Sequence, residues 1–368
     1  MTIFDVKISR IKKLNINEKY TFKMSSLRIC AINALLLSAF LLVSTTIFGC
    51  KDSDITDSEN EIASIHTTKK VGLAYCTWHQ PSLWGNYWGT PELGKYSSND
   101  RSVIRQHGQW LADAGVDFVF IDWSNDIDYE FGVTTGRADF DMIEKTVPTM
   151  FEEWKSIENA PKIAIMLGCP DETGAFSDGR MKAKFDQVYN QFIANAQYKD
   201  QYYTYLGKPL VIIYVGTPSP FTTDVPQFKD SRFTIRYMTG FVTQQPKLIN
   251  GKKQSIYGYW SWEDRGDQTY SLYYGKPEAC TVSAASREQS GPDSIAAAGR
   301  NDGETFKARW DRARSLNVST VLVVSWNEWV TGEQPSVEVS KDLEPSVEYG
   351  HKYLDLLKAE IKAFKKTK

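Results

Sequence analysis

The sequence predicts an α/β protein, a single-domain (β/α)8 TIM barrel, on three observations. Eight short apolar, β-rich runs recur between Val71 and Ser325. Longer amphipathic stretches separate most of them, the alternation expected of βα units around a parallel sheet. No GxGxxG turn follows the first run, which ends Tyr75-Cys-Thr-Trp-His79, and an open doubly wound sheet would be expected to carry one. Eight units in one domain is the count that closes a barrel.

The runs, in order, are Val71–Trp78, Phe118–Trp123, Lys162–Gly168, Pro209–Val215, Phe233–Thr239, Ser255–Trp260, Ala279–Ala284 and Thr320–Ser325. Helical spacing is read in Asp100–Ala114 before the second run, Phe140–Ile157 before the third, Arg180–Gln197 before the fourth and Gly303–Leu316 before the eighth. Tyr349–Lys365 would close the ring, with Tyr353, Leu356, Leu357 and Ile361 on one face. Between runs five and six only a Gln/Pro/Lys loop is seen, with no evident helix.

The barrel is expected over residues 69–368, behind a segment of another kind. Ala31–Phe48 is 18 residues without a charge, preceded by Arg28 and ended by Gly49-Cys50. This reads as a secretion signal, with a transmembrane anchor as the alternative for a run of this length, and Ile47-Phe48-Gly49-Cys50 resembles a bacterial lipobox. Cleavage would leave Cys50 lipidated, anchored to the outer membrane by acyl chains and facing the cell surface. Residues 1–49 are then leader and 50–68 a polar, acidic tether. Met24-Ser-Ser-Leu-Arg28 makes a normal start to such a signal, so residues 1–23 read as the product of a start codon assigned too early.

The leader distorts the charge balance. Residues 1–49 hold seven of the 43 Lys and Arg but two of the 45 Asp and Glu, so the chain from Cys50 onward carries a net charge of -7. No basic footprint for nucleic acid remains. Cys76, Cys169 and Cys280 are widely spaced, without CxxC, and the four histidines are scattered. Buried free thiols are expected, with neither a metal nor an organic cofactor.

Barrel chemistry belongs to the loops that follow the strand C-termini. The first offers Tyr75, Trp78 and His79; the second Asp122 and Trp123; the sixth Trp260, Trp262, Glu263 and Asp264; the seventh Arg287; the eighth Trp326, Asn327, Glu328 and Trp329. Six of the 11 tryptophans, residues 78, 123, 260, 262, 326 and 329, fall there. Flat rings beside carboxylates suit a sugar, whose C–H faces stack on aromatics while its hydroxyls hydrogen-bond, so an oligosaccharide or polysaccharide is the expected substrate. Core packing is the alternative for any one ring. Glu328, set at a strand terminus between two indoles, is the leading acid–base candidate. Glycoside hydrolysis uses two carboxyl groups; Glu333, Glu263 and Asp264 are the nearest partners. Glu344 would either fold back from the last loop or cap the closing helix.

The segment VLVVSWNEWVTG (Val321–Gly332), with Leu343-Glu-Pro345 and Tyr349-Gly350 after it, resembles the end of the glycoside hydrolase family 99 and family 71 superfamily, including WbsX-like proteins. Tyr75-Cys-Thr-Trp78, Ala114–Trp123 and Leu206–Tyr214 agree with it. The resemblance implies a (β/α)8 barrel, endo-acting hydrolysis of α-linked glycans such as mannans or α-glucans, and a retaining mechanism. One Glu would activate the substrate's own 2-hydroxyl and a second would be the acid. Family 99 reads N-E-W-x-E-G; here the first Glu maps to Glu328 and the second to Thr331, which cannot be an acid near neutral pH. Glu333 taking over, an acid from another loop, or a barrel that binds glycans without cutting them are the three alternatives.

Overall fold

Alternation at period two, with β-branched and aromatic residues on both faces, makes each barrel strand a wall between two apolar layers. In the computed structural model, residues 68–367 are described except 86, 126–137, 169–172, 216–227, 242–246, 250–251, 255–258, 267, 289–293 and 330–335. The leader, Cys50, nearly all of the tether, Cys169, Thr331 and Glu333 lie outside the described residues. Among those described, no helix is long and apolar enough to cross a membrane.

Eight parallel strands form the wall: β1 (Lys70–Tyr75), β2 (Phe118–Trp123), β3 (Lys162–Gly168), β4 (Lys208–Tyr214), β5 (Thr234–Phe241), β6 (Trp260–Glu263), β7 (Ala279–Val282) and β8 (Thr320–Val323). Their order around the sheet is β7-β8-β1-β2-β3-β4-β5-β6. The register pairs Leu73 with both Val323 and Val119, so β8 ends level with Leu73, two residues before the end of β1, and β1 ends level with Ile121, two residues before the end of β2. The circuit is completed between β6 and β7 by side chains. Ser261 Oγ donates to Thr281 Oγ1 at 3.0 Å, and Thr281 Oγ1 donates to the Ser261 carbonyl.

Inward residues of successive strands, including Ala74, Phe118, Phe120, Met166, Ile212, Met238, Trp260, Trp262 and Leu322, fill the barrel. Their neighbours Val71, Leu73, Val119, Ile121, Ile165, Val211 and Val323 face outward onto helices. Burial of each such side chain contributes about 1.5–3 kcal/mol. Gly72 is required by this packing, because a Cβ there would lie 2.3 Å from the Phe118 ring. That ring is already stacked on Tyr203 at 3.9 Å.

The outer layer comprises α1 (Arg101–Ala114), α2 (Ala138–Trp154), α3 (Arg180–Val188), α4 (Glu304–Leu316) and α5 (Lys352–Phe364). Asp100 caps α1 by accepting from Ser102 N at 2.8 Å, and Gly115 ends it at φ 82°. Among the described residues, the β5–β6 and β6–β7 connections hold short antiparallel pairs and no helix: Lys247–Ile249 with Lys252–Gln254, and Leu272–Tyr273 with Lys276–Pro277.

The sixth strand lies later than its expected run. Trp-Ser-Trp-Glu alternates perfectly into the barrel, so Trp260 opens β6 at the N-terminal end of the barrel instead of closing it at the rim. There its Nε1 donates to Glu278 at 3.2 Å. Glu278 is buried and also accepts from Tyr205 Oη, Arg236 Nε and Ser271 Oγ, plugging the bottom of the barrel. Cys76 and Cys280 are buried free thiols.

Candidate active site

The end of β8 is held by its neighbours before any side chain acts. Trp326 N donates to the Ala74 carbonyl at 2.8 Å, tying the segment after β8 to β1. Asn327 Oδ1 accepts from Cys76 N at 2.9 Å, and its Nδ2 donates to the Cys76 carbonyl and to Tyr96 Oη, both at 3.1 Å. With its amide consumed this way, Asn327 is a clamp between strands and not the substrate contact expected of it.

Asp342, in the loop before α5, grips the same segment from its other side. Its Oδ1 accepts from Ser325 Oγ at 2.6 Å and Glu328 N at 2.7 Å; its Oδ2 accepts from Trp329 N at 3.0 Å and Trp88 Nε1 at 2.7 Å. Trp329 is thereby kept at φ 56°, a left-handed conformation that a bulky residue adopts only when its surroundings impose it. Glu344 extends the scaffold by accepting from Trp329 Nε1 at 2.7 Å and Tyr96 Oη at 2.8 Å. Its other oxygen meets His107 Nε2 at 2.9 Å, and His107 Nδ1 meets Tyr75 Oη at 2.7 Å. Glu344, expected either to fold back as a second acid or to cap the closing helix, has both oxygens committed to this scaffold, and α5 has no side-chain cap. Tyr75 belongs to this buried relay behind the wall and not to a substrate surface.

Glu328 is thus presented on a rigid backbone. Its carboxylate is 2.9 Å from Lys341 Nζ, and the two side chains are 10% and 4% exposed. Burial pushes the Glu328 carboxyl up to about 7; Lys341 opposes this while Asp342 and Asp122 add to it. Burial disfavours charge on Lys341, but Glu328 and Glu263 outweigh it and hold the ammonium above its ordinary range. Asp122, at the inward-facing end of β2, is raised by burial and held back by Ser124 N, which donates to Oδ1 at 2.8 Å, and by Lys341. Asp122, Glu263, Glu328 and Lys341 therefore form one interacting set, with Trp262 beside it; Lys341 Nζ is 6.0 Å from that indole ring.

Other expected site residues go elsewhere. Asp264 is raised to about 7 by burial, yet its carboxylate is taken up by Thr269, whose N and Oγ1 donate at 2.9 and 3.1 Å. It is a loop cap. Glu263 is ion-paired with Arg265 at 3.1 Å. Trp123 is buried against Phe192, and Trp326 against His107 and Trp110; both are outer-layer core, as Trp260 is inner-layer core. Strand ends carry large apolar residues on both faces, and the outward ones serve the helices. Trp78 is half-buried beside His79. His79 is stacked on Trp84 at 4.6 Å, donates from Nε2 to the Asn327 carbonyl at 2.7 Å, and is lowered by burial to about 4, so it is neutral. Arg287 is half-buried in the loop after β7. Among the described residues no cluster of three His, Cys, Asp or Glu side chains could hold a metal ion.

Lys341, Asp342 and the Trp84, Trp88 and Tyr96 cluster were not singled out from the sequence. All sit in aperiodic loops, Trp88 stacking on Trp329 at 4.6 Å. The signal that could have found Asp342 is its place beside Leu343-Glu-Pro345, within the segment that carries the family resemblance.

No protein-family model and no curated protein sequence matches the chain. Its backbone is similar to solved structures of a GH99 endo-alpha-mannosidase from Bacteroides thetaiotaomicron, at TM-scores of 0.52 and 0.53 and identities of 14% and 15%. Each match covers 81% of this chain and 98% of that one, and the second structure is a complex with bis-tris propane. A glycoside hydrolase-like protein matches at TM-score 0.50 and 16% identity, over 80% of this chain and 94% of that one. At such identities the likeness establishes the fold alone: a (β/α)8 barrel shared over nearly the whole length of those chains.

Proposed function

We propose that the chain is an exported glycoside hydrolase acting on α-linked polysaccharide or glycan chains, with Glu328 at the centre of its chemistry. The observation that carries this reading is the buried carboxylate of Glu328 at the end of the last barrel strand, paired with Lys341, with the Glu328 backbone N–H fixed by Asp342. The GH99 endo-alpha-mannosidase fold supports α-mannan-like substrates, with α-glucans as the next class to try.

Ionised Glu328 takes a proton from the attacking hydroxyl, which the family resemblance makes the sugar's own 2-hydroxyl. A second carboxylic acid gives its proton to the glycosidic oxygen as the C1–O bond breaks and its electron pair passes to that oxygen. The deprotonated 2-oxygen bonds to C1 as the leaving group departs. Water then attacks C1 and breaks that O2–C1 bond, giving its proton to the second carboxylate. The 2-oxygen takes back the proton held by Glu328, so that both carboxyl groups return to their starting states. Asp122 is the described carboxylate that best fits the second role. It ends β2 on the barrel interior, and its rivals Asp264 and Glu263 are committed to Thr269 and Arg265. Glu333, the other claimant, lies outside the described residues.

The test is to incubate the chain from Lys51 onward with α-mannans, α-glucans and host-type glycans and measure new reducing ends. Glu328→Gln is expected to cut the rate by about 10²- to 10⁴-fold while sparing oligosaccharide binding. Asp122→Asn and Glu333→Gln, made separately, identify the acid by which one falls as far. A Glu328→Gln variant that releases sugar at the wild-type rate ends the assignment. Thr331 at the position of the family's acid favours a second reading, a non-catalytic glycan-binding barrel; it predicts binding with no reducing ends from any substrate.

A further inference from the structure

Resting on the hydrolase reading of the same site, a further inference concerns Lys341. Its Nζ is 2.9 Å from Glu328 Oε2, with 4% of the side chain exposed. Burying an ammonium costs several kcal/mol in lost hydration unless it is well paired. Anchoring this loop to the strand end falls to Asp342, which takes four donors from Ser325, Glu328, Trp329 and Trp88. The other groups acting on Glu328 disfavour its charge: Asp122 from β2 and Asp342 from the loop. The Cys76 thiol past the end of β1 senses the same carboxylates, and Glu263 from β6 faces Lys341.

We propose that Lys341 is a positioning residue that keeps Glu328 ionised and so sets the pH above which Glu328 acts as the base. It touches Glu328 and not the sugar. With burial, Asp342 and Asp122 all favouring the neutral acid, Lys341 is the opposing influence. Without it Glu328 would stay protonated through the neutral range, unable to accept a proton.

The experiment is the pH profile of kcat/KM for the wild type, Lys341→Met and Lys341→Arg on whichever glycan the wild type cuts. Loss of the cation raises the carboxyl's pKa, so the acid limb is expected to move up by about one to three pH units in Lys341→Met. It should return close to the wild-type position in Lys341→Arg. An acid limb that stays in place overturns the proposal, because a residue that only packs the loop would lower the rate at every pH. Movement of the alkaline limb instead also overturns it, since Glu328 would then work protonated. If Lys341→Met fails to fold, Lys341→Gln keeps a donor to Oε2 without the charge and gives the same comparison. The carbon-13 resonance of the Glu328 carboxyl, identified by its loss in Glu328→Gln, reads the same displacement without substrate. An inactive wild type would therefore sink the hydrolase reading while leaving this inference open to test.

Discussion

Asp342 shows how much one side chain can carry. Four donors converge on its two oxygens, two of them the backbone N–H groups of Glu328 and Trp329. Replacing one oxygen by an amide nitrogen turns two of those donors against a donor. Asp342→Asn is expected to destabilise the fold by about 3 kcal/mol, since each buried group left unsatisfied costs about 1–3 kcal/mol. Chemical denaturation would measure this, and activity should fall further than stability as Glu328 loses its fixed backbone. A variant with an unchanged denaturation midpoint would show that the grip is dispensable. At this scale Glu328 was legible because a carboxylate flanked by indoles at a strand end is a local pattern. Lys341 and Asp342 were not, because what makes them matter is a contact across more than ten residues of aperiodic chain.

The strands were legible for a related reason. β2 and β3 begin and end where their apolar runs do, as period-two alternation against two apolar layers leaves little choice of boundary. β6 begins at Trp260, the last residue of its expected run, because Trp260 and Trp262 alternate into the barrel interior; residues 255–258 of that run lie outside the described residues. An ambiguity of face sent Trp123 and Trp326 to the core: a strand end fixes where a residue lies along the barrel axis but not which face it takes. Packing between elements is tested most directly at Gly72. A methyl group there meets the Phe118 ring at 2.3 Å, with Tyr203 stacked behind it. Gly72→Ala is expected to cost about 1–3 kcal/mol by overpacking. Thermal unfolding of the variant would read this, and an unchanged midpoint would mean that β1 and β2 can separate without penalty.

For the whole molecule, the lipobox-like Ile47–Cys50 and the -7 charge of the chain from Cys50 onward support the proposal of a protein that would be held by its lipid and not by attraction to an acidic membrane surface. Cys50→Ser is expected to move the protein from the membrane fraction to the soluble one, with glycan cleavage per molecule unchanged. Fractionation of the two forms checks this, and a serine variant that stays in the membrane fraction refutes the anchor. The join between β6 and β7 has a consequence of another kind. Seven of the eight joints of the wall are laced by backbone ladders, but this one rests on the hydroxyls of Ser261 and Thr281. Among the described residues, its neighbouring connections carry short antiparallel strand pairs and no helix to brace it. The wall therefore has a seam, the line along which amide protons are expected to exchange soonest and local opening to cost least. Because Trp262 and Glu263 stand at its upper end, opening there would widen the mouth for the proposed substrate without loosening the clamp that holds Glu328.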